Sequence, residues 1–374
     1  MKIALVHDQL QEFGGAERVL VSLKKIFPES HVFTSFYNPK SLGSHAQKFK
    51  DWKIITSWAD KVPFLKKIYS PLRFITPLIW ESFDFSKYDL VISSSGAYMS
   101  KGAITKLKTL HISYIHHQPK YLYYYETPTQ WQKHKLIKIY GNIINHDLRI
   151  WDYVASQRPN YLIVNSLETQ KRIEKFYRRK STVIYPPVEI PKTININNFK
   201  SNTKNYYITL SRLSRPKHID VLIKAANKMK FNLKIIGAGR DEKRLRQIAG
   251  KTCEFIKSIP DNEFSEIFKY AKAFLFASVD EEFGISPIEA LGYGVPVIAY
   301  SSGGLKETII NGKNGYLFNK LNENSLIEKI KILEDLSQDK YTEIKRNARK
   351  SALSYTQDIF KNKILDFVNS KMSK

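Results

Sequence analysis

The residues best suited to chemistry lie between Asp280 and Ala290, in the run Asp280-Glu281-Glu282-Phe283-Gly284-Ile285-Ser286-Pro287-Ile288-Glu289-Ala290. Two carboxylates, Glu281 and Glu289, flank a glycine turn that opens a short helix. The apolar stretch Ala273–Ala277 before them reads as a buried parallel strand. Strand, acidic loop and helix start therefore follow in order, and α/β sheets bind ligands at that end of their strands. Backbone N–H groups at a helix start favour an anion such as phosphate. A carboxylate on either side suits hydroxyl-bearing groups flanking that phosphate, the layout of a sugar nucleotide. A plainer reading stands beside it. Ser286-Pro287-Ile288-Glu289 spells a capping box, with Ser286 as N-cap, Pro287 at the first helical position and Glu289 at the third, and Glu281 alone reads as a solvated loop acid.

A second group supplies the opposite charge. Arg212 follows the predicted strand Tyr206–Leu210, and Lys217 lies just before a predicted helix, in the loop Ser211-Arg212-Leu213-Ser214-Arg215-Pro216-Lys217. This loop contains no acid, so a diphosphate is favoured there. Gly14-Gly15 would let the backbone approach a ligand closely. His116 and His117 end a predicted strand and, being adjacent, point to opposite faces. No Asp-x-Asp and no His/Cys spacing suited to a metal occurs, so no metal and no cofactor are expected.

The elements that must position these groups read as two α/β series. The first opens with a strand at Lys2–His7, the Phe13-Gly14-Gly15 loop and a helix from about Ala16. Further strands are predicted at Leu90–Ser93, Thr109–Ile115, Tyr161–Val164 and Thr182–Tyr185. Residues 189–205, polar and without periodicity, read as a linker. The second series has predicted strands at Tyr206–Leu210, Leu233–Ile236, Cys253–Ile256, Ala273–Ala277 and Pro296–Ala299. Its helices are predicted at Ile219–Met229, Glu242–Ala249, Glu263–Tyr270, Pro287–Leu291, Glu323–Ser337 and Tyr341–Tyr355. The fold class is α/β, with two tandem Rossmann-like doubly wound domains and a cleft between them. The domains would span 1–188 and 206–355, with 356–374 as a terminal helix.

The composition narrows the partners. The 374 residues carry a net charge of +25, a single cysteine, and 43% hydrophobic and 13% aromatic residues. This is a globular chain without a disulfide framework. Both halves are basic, which points to nucleic acid, an anionic membrane surface or phosphorylated small molecules. No helix-turn-helix, zinc finger or RNP-like strand supports nucleic acid. Residues 61–75 interleave cations with apolar and aromatic side chains, and read as either a membrane-interface segment or an ordinary amphipathic surface helix. Lys171 to Lys180, with six cations and one acid, reads as a solvated face. With no apolar stretch long enough to span a bilayer and no signal-peptide pattern, a cytoplasmic location is expected, peripheral on the inner face of the membrane.

In this order the pieces resemble the retaining GT-B-fold glycosyltransferases of family 4, over nearly the whole chain. The residues carrying the likeness are Gly14-Gly15-Ala16-Glu17-Arg18, Asn165-Ser166, Pro186-Pro187-Val188, Arg212 with Lys217, Glu281-x7-Glu289 and Gly303-Gly304-Leu305-Lys306-Glu307. The details around Tyr114 and Pro186-Pro187 are most like bacterial O-antigen and exopolysaccharide mannosyltransferases. The resemblance implies a nucleotide sugar in the C-terminal domain and an acceptor in the N-terminal one. Arg212 and Lys217 would hold the diphosphate, Glu289 the ribose hydroxyls and Glu281 the transferred sugar. Backbone N–H groups at Phe283, Gly284 and Ile285 would cradle phosphate and sugar, and Glu307 would line the donor site. It also implies that the last helix returns to the N-terminal domain. Gly14 and Gly15 fall in the substrate site and His116 beside Glu281 in the catalytic one, though anchoring on Pro119 selects His117 instead. Lys257 stands where the family commonly has glycine. The implied reaction is metal-independent hexosyl transfer, first of all mannose from GDP-mannose, to a lipid-linked oligosaccharide or polysaccharide. The rival readings are a non-catalytic polyanion binder on this fold and a relative that epimerises or hydrolyses sugar nucleotides.

Overall fold

A computed structural model describes residues 1–128, 131–191, 206–260 and 263–372 of the chain. The predicted linker falls almost entirely outside these residues. The chain divides into two compact units. One comprises Met1–Tyr125, Thr129–Pro187 and Gln357–Lys374, and the other Glu126–Pro128 and Val188–Thr356. Among the described residues, each unit is built on one parallel sheet.

The sheet of the first unit contains β1 (Ile3–His7), β2 (His31–Thr34), β3 (Ile54–Thr56), β4 (Leu90–Ser95), β5 (Leu110–Ile115), β6 (Tyr161–Val164) and β7 (Thr182–Val183). Their spatial order is β3-β2-β1-β4-β5-β6-β7. The second contains β8 (Tyr206–Leu210), β9 (Leu233–Ile236), β10 (Cys253–Ile256), β11 (Ala271–Phe276), β12 (Val297–Tyr300) and β13 (Gly315–Phe318), in the order β10-β9-β8-β11-β12-β13. Both orders run outward in two directions from the first strand, the doubly wound Rossmann pattern. The reversal falls between β1 and β4 in one unit and between β8 and β11 in the other. Ligands of this architecture bind at that point, beyond the carboxyl ends of the strands.

Parallel strands covered on both faces must be apolar throughout. Leu5, Ile92 and Ile112 accordingly pack with Leu20 and Leu23 of the helix Gly15–Ile26. Phe360, Ile364 and Val368 of the last helix, Gln357–Met372, lie in the same core. In the second unit Ile235, Leu275 and Ile298 pack with Leu222, Leu326 and Ile330.

Three strands and the helices Lys135–Gln157 and Leu167–Tyr177 go beyond the sequence reading. Strands β2, β3 and β13 have 4, 3 and 4 residues. The helix Lys135–Gln157 buries Asn145, Asp152 and Ser156 beside Leu148 and Ala155, so its inward side is not marked by an apolar stripe. Residues 61–75 are not one amphipathic helix. They form the ends of short helices at Trp58–Lys61, Leu65–Ile68 and Arg73–Ile75, broken at Pro63 and Pro71. The cluster Lys171–Lys180 is only partly solvated. Arg172 is buried against Glu168 at 2.9 Å and over the Tyr125 ring at 4.7 Å, and Arg179 donates to the Ser156 and Pro159 carbonyls at 2.9 and 2.7 Å.

One buried cation gives a pH-dependent stability. Lys345, in the helix Gln338–Ala352, is pushed down by burial to about 8 from 10.5, with its ammonium 5.6 Å over the Tyr341 ring. Between those pH values the unfolded chain holds this proton more firmly than the folded one. The penalty is therefore complete below pH 8 and fades as pH rises toward 10.5. Lys345→Met should raise the melting temperature at neutral pH by roughly 5 °C. The gain should shrink on titration to pH 10, and thermal melts of both proteins across that range measure it.

Candidate functional site

Two loops of the second unit flank its reversal point and are fastened together. The β8 loop ends in a single 3-10 turn, Arg215–Lys217, and the β11 loop starts at Ala277. The Val279 N–H donates to the Pro216 carbonyl at 2.9 Å, which brings the loops side by side. There the Lys217 ammonium meets Glu281 Oε2 at 2.5 Å, and the Ser278 hydroxyl donates to the same oxygen at 2.6 Å. The Lys217 ammonium also sits 5.5 Å over the Phe276 ring. The cationic loop is thus less positive than its own residues imply. Glu281 answers Lys217 from 64 residues away, and Asp241 answers Arg215 at 3.1 Å. Arg212 is exposed at the head of the same loop.

The acidic loop is held on its other side by Gly303-Gly304. The Gly304 N–H donates to the Glu281 carbonyl at 2.8 Å, and the Asp280 N–H donates to the Ser302 hydroxyl at 2.9 Å. A Cβ at Gly303, whose φ is +58°, would come within 2.0 Å of the Glu281 carbonyl oxygen. One at Gly304 would come within 2.1 Å of that of Glu282. Only glycine lets the two backbones approach so closely.

The helix Ile285–Gly292 begins at Gly284 in the left-handed region, φ +89°. The capping-box reading is therefore corrected. Gly284 is the N-cap, Ile285 the first helical residue, and Glu289 lies in the second turn, where no capping box can form. Glu289 is nevertheless buried, as is Phe283, whose ring meets Tyr355 edge-on at 5.2 Å. Burial first, and the nearby charge of Glu307 second, push the Tyr355 hydroxyl above its usual range. Glu307 follows Gly304 in a short helix, Leu305–Thr308. Lys217, Glu281, Phe283, Gly284, Ile285, Glu289 and Glu307 thus stand on two loops and two helix starts at one end of the sheet.

In the first unit the reversal point also carries polar side chains. His116, just past β5, is buried with its Nε2 at 2.7 Å from the Ser94 hydroxyl on β4. Ser94 is 3.0 Å from His7 Nδ1 on β1, and His7 Nε2 is 3.3 Å from Glu17. The other Glu17 oxygen accepts the Gly14 N–H at 2.7 Å, which makes Gly14 the N-cap of the helix Gly15–Ile26. A chain of hydrogen-bonding groups so runs from the Gly14-Gly15 turn to His116, holding both ring nitrogens of His7 and the Nε2 of His116. The neighbouring His117 turns elsewhere, with Nδ1 at 2.7 Å from the Gln118 carbonyl. His7, Ser94 and Glu17 have no spacing of their own in the sequence. What signals them is that His7 ends β1 and Ser94, its partner in register, lies one residue before the end of β4, at the reversal. Asp8 beside them accepts the backbone N–H groups of Gly96, Tyr98 and Ser100 at 2.9, 2.8 and 2.9 Å, a structural role. Among the described residues, no group of three or more His, Cys, Asp or Glu side chains is placed to share a metal ion.

Residues 192–351, which include the paired loops, match the family model of glycosyl transferases, group 1. The chain is 26% identical over 272 residues to the UDP-N-acetylglucosamine–peptide N-acetylglucosaminyltransferase GtfA subunit of Streptococcus pneumoniae, covering 68% of this chain and 50% of that protein. It is 23% identical to the alpha-1,3/1,6-mannosyltransferase alg2 of Schizosaccharomyces pombe, over 85% of this chain and 70% of that one. The chain spans about half the length of several of these curated relatives. Among solved structures, Anabaena Alr3699/HepE in complex with UDP and glucose superposes with a TM-score of 0.70 at 19% identity, covering 99% and 100% of the two chains. That likeness extends over both units and establishes the two-Rossmann fold of the GT-B glycosyltransferase structures.

Proposed function

We propose that this protein is a glycosyltransferase that moves a hexose from a nucleoside diphosphate sugar to a carbohydrate acceptor. The observation that carries the reading is the Lys217–Glu281 pair, which sets a cation and a carboxylate side by side at the reversal point of the second sheet. In this reading Lys217 and Arg212 meet the diphosphate and Glu281 faces the sugar hydroxyls. Glu289 accepts from the ribose, and the helix start at Gly284 turns its N–H groups to phosphate. Transfer is metal-independent and retains the anomeric configuration, with the departing phosphate taking the acceptor proton. Catalysis rests on positioning and on neutralising leaving-group charge. The first unit receives the acceptor, a lipid-linked oligosaccharide or polysaccharide, near His116.

Mannose from GDP-mannose is the first donor to test, supported by the likeness to a protein named as a mannosyltransferase. UDP sugars are the second reading, favoured by relatives named for UDP-N-acetylglucosamine and by a solved neighbour holding UDP and glucose. Thermal melts with GDP-mannose, GDP-glucose, UDP-glucose and UDP-N-acetylglucosamine, each with and without chelator, decide between them. One donor should stabilise the protein selectively, chelator should change nothing, and NMR of the product should show the donor's anomeric configuration. Stabilisation by no nucleotide, together with salt-sensitive binding of nucleic acid, would instead support a polyanion binder.

A further inference from the structure

The inner and outer faces of the helix Lys135–Gln157 differ in an unusual way. Its inner face is anchored: Leu148 and Ala155 are buried, and Asp152 is wholly buried in an ion pair with Lys101 while accepting the Tyr123 and Tyr177 hydroxyls. Its outer face carries Leu136, Ile139, Tyr140, Ile143, Ile150, Tyr153 and Val154, all exposed, with Leu136 at 82% and Ile143 at 61%. Their spacing of three, four and seven residues lines them along one side over about 27 Å. A helix fixed so firmly on one side does not show its apolar outer face by default.

The face continues onto a neighbouring segment. The Tyr140 hydroxyl donates to the Pro71 carbonyl at 2.6 Å, which ties the helix to residues 58–78. There Trp58, Phe64, Ile68, Phe74 and Leu78 are exposed. Phe64 holds a left-handed φ of +62°, a costly conformation for an aromatic residue, while its ring is 72% exposed under the Lys67 ammonium. Exposed lysines border the patch at positions 61, 67, 133, 135 and 138, no acid occurs from residue 132 to 146, and the exposed Asp147, between Ile143 and Ile150, is the one acid on this side of the helix. The acids of the adjoining segment are answered internally, Asp60 by Lys66 at 2.9 Å and Glu81 by Arg158 at 2.5 Å.

We propose that this face of the first unit lies in the interface of an anionic lipid bilayer, the helix Lys135–Gln157 in the membrane plane and the lysines on lipid headgroups. Charge complementarity selects this occupant. A second copy of a chain carrying +25 would set these lysines against their own kind, whereas anionic headgroups attract them beside an apolar layer that takes the leucine and isoleucines. No helix among the described residues is long and apolar enough to cross a membrane. The inference goes beyond sugar transfer and does not depend on it.

Vesicle flotation tests it with the full chain. Vesicles of equal parts phosphatidylglycerol and phosphatidylcholine should carry the protein, and pure phosphatidylcholine should carry roughly tenfold less. Ile139→Glu with Ile143→Glu should lower partition onto the mixed vesicles at least about tenfold, leaving the melting temperature unchanged. Replacing Lys133, Lys135 and Lys138 with glutamine should abolish the preference for phosphatidylglycerol. Flotation unaffected by either variant would overturn the proposal, as would equal flotation on both vesicle types. So would a dimer in sedimentation velocity that the glutamate variant dissolves, without vesicle binding.

Discussion

Glu281→Gln should lower the turnover of sugar transfer by about a hundredfold while tightening the binding of free nucleoside diphosphate up to about tenfold. The two effects have one cause. Glu281 Oε2 receives the Lys217 ammonium at 2.5 Å and the Ser278 hydroxyl at 2.6 Å, so in the ligand-free protein the carboxylate occupies the cation that a diphosphate would need. Glutamine keeps the shape and loses the charge. In the proposed reading Lys217 is then released toward phosphate, and the sugar hydroxyls exchange a charged acceptor for a neutral amide. Both side chains of the pair remain partly exposed, so the loss of stability should be small, about 1 kcal/mol. Steady-state kinetics and calorimetry of nucleotide binding on the same preparation read both quantities. Unchanged turnover with unchanged nucleotide affinity would reduce the pair to a clasp between two loops.

The largest stability effect should come from Asp152→Ala. Asp152 and Lys101 are almost wholly buried, and Asp152 accepts the Tyr123 and Tyr177 hydroxyls at 2.7 and 2.8 Å. Burial, and then the Asp152 charge, hold both phenols above their ordinary range. Removing it strands an ammonium and two hydroxyl groups away from water. The expected cost is about 3–5 kcal/mol, a fall of roughly 10 °C in melting temperature. Asp152→Leu combined with Lys101→Met should recover most of that loss, because removing both charges leaves nothing to desolvate. An Asp152→Ala protein that melts like the parent would show that water reaches the cluster. The same substitution loosens the inner face of the helix Lys135–Gln157, so it bears on the outer face as well.

What could be read along the chain was local. The alternation of strands and helices in the second unit was legible because each strand is a short apolar run ended by a glycine or a charged loop, as at Ala273–Ala277 before Asp280. The Glu281-x7-Glu289 spacing was equally plain, being covalent. The capping-box reading of Ser286 failed because helix onset depends on backbone dihedrals: Gly284 adopts φ +89° and starts the helix two residues early. The helix Lys135–Gln157 escaped notice because the side that it buries carries Asn145, Asp152 and Ser156, so its apolar stripe does not mark its inward face.

The amino-acid sequence by itself determined the two α/β series, the acidic and cationic loops, and the residue types available for holding a diphosphate and a sugar. Only the tertiary structure decided who meets whom. Lys217 and Glu281 pair across 64 residues, and His116 reaches Glu17 through Ser94 and His7, because each sheet reverses its winding and brings distant strand ends together. Side-chain chemistry is carried by single residues, whereas charge neutralisation and burial depend on distance in space, which chain order does not encode.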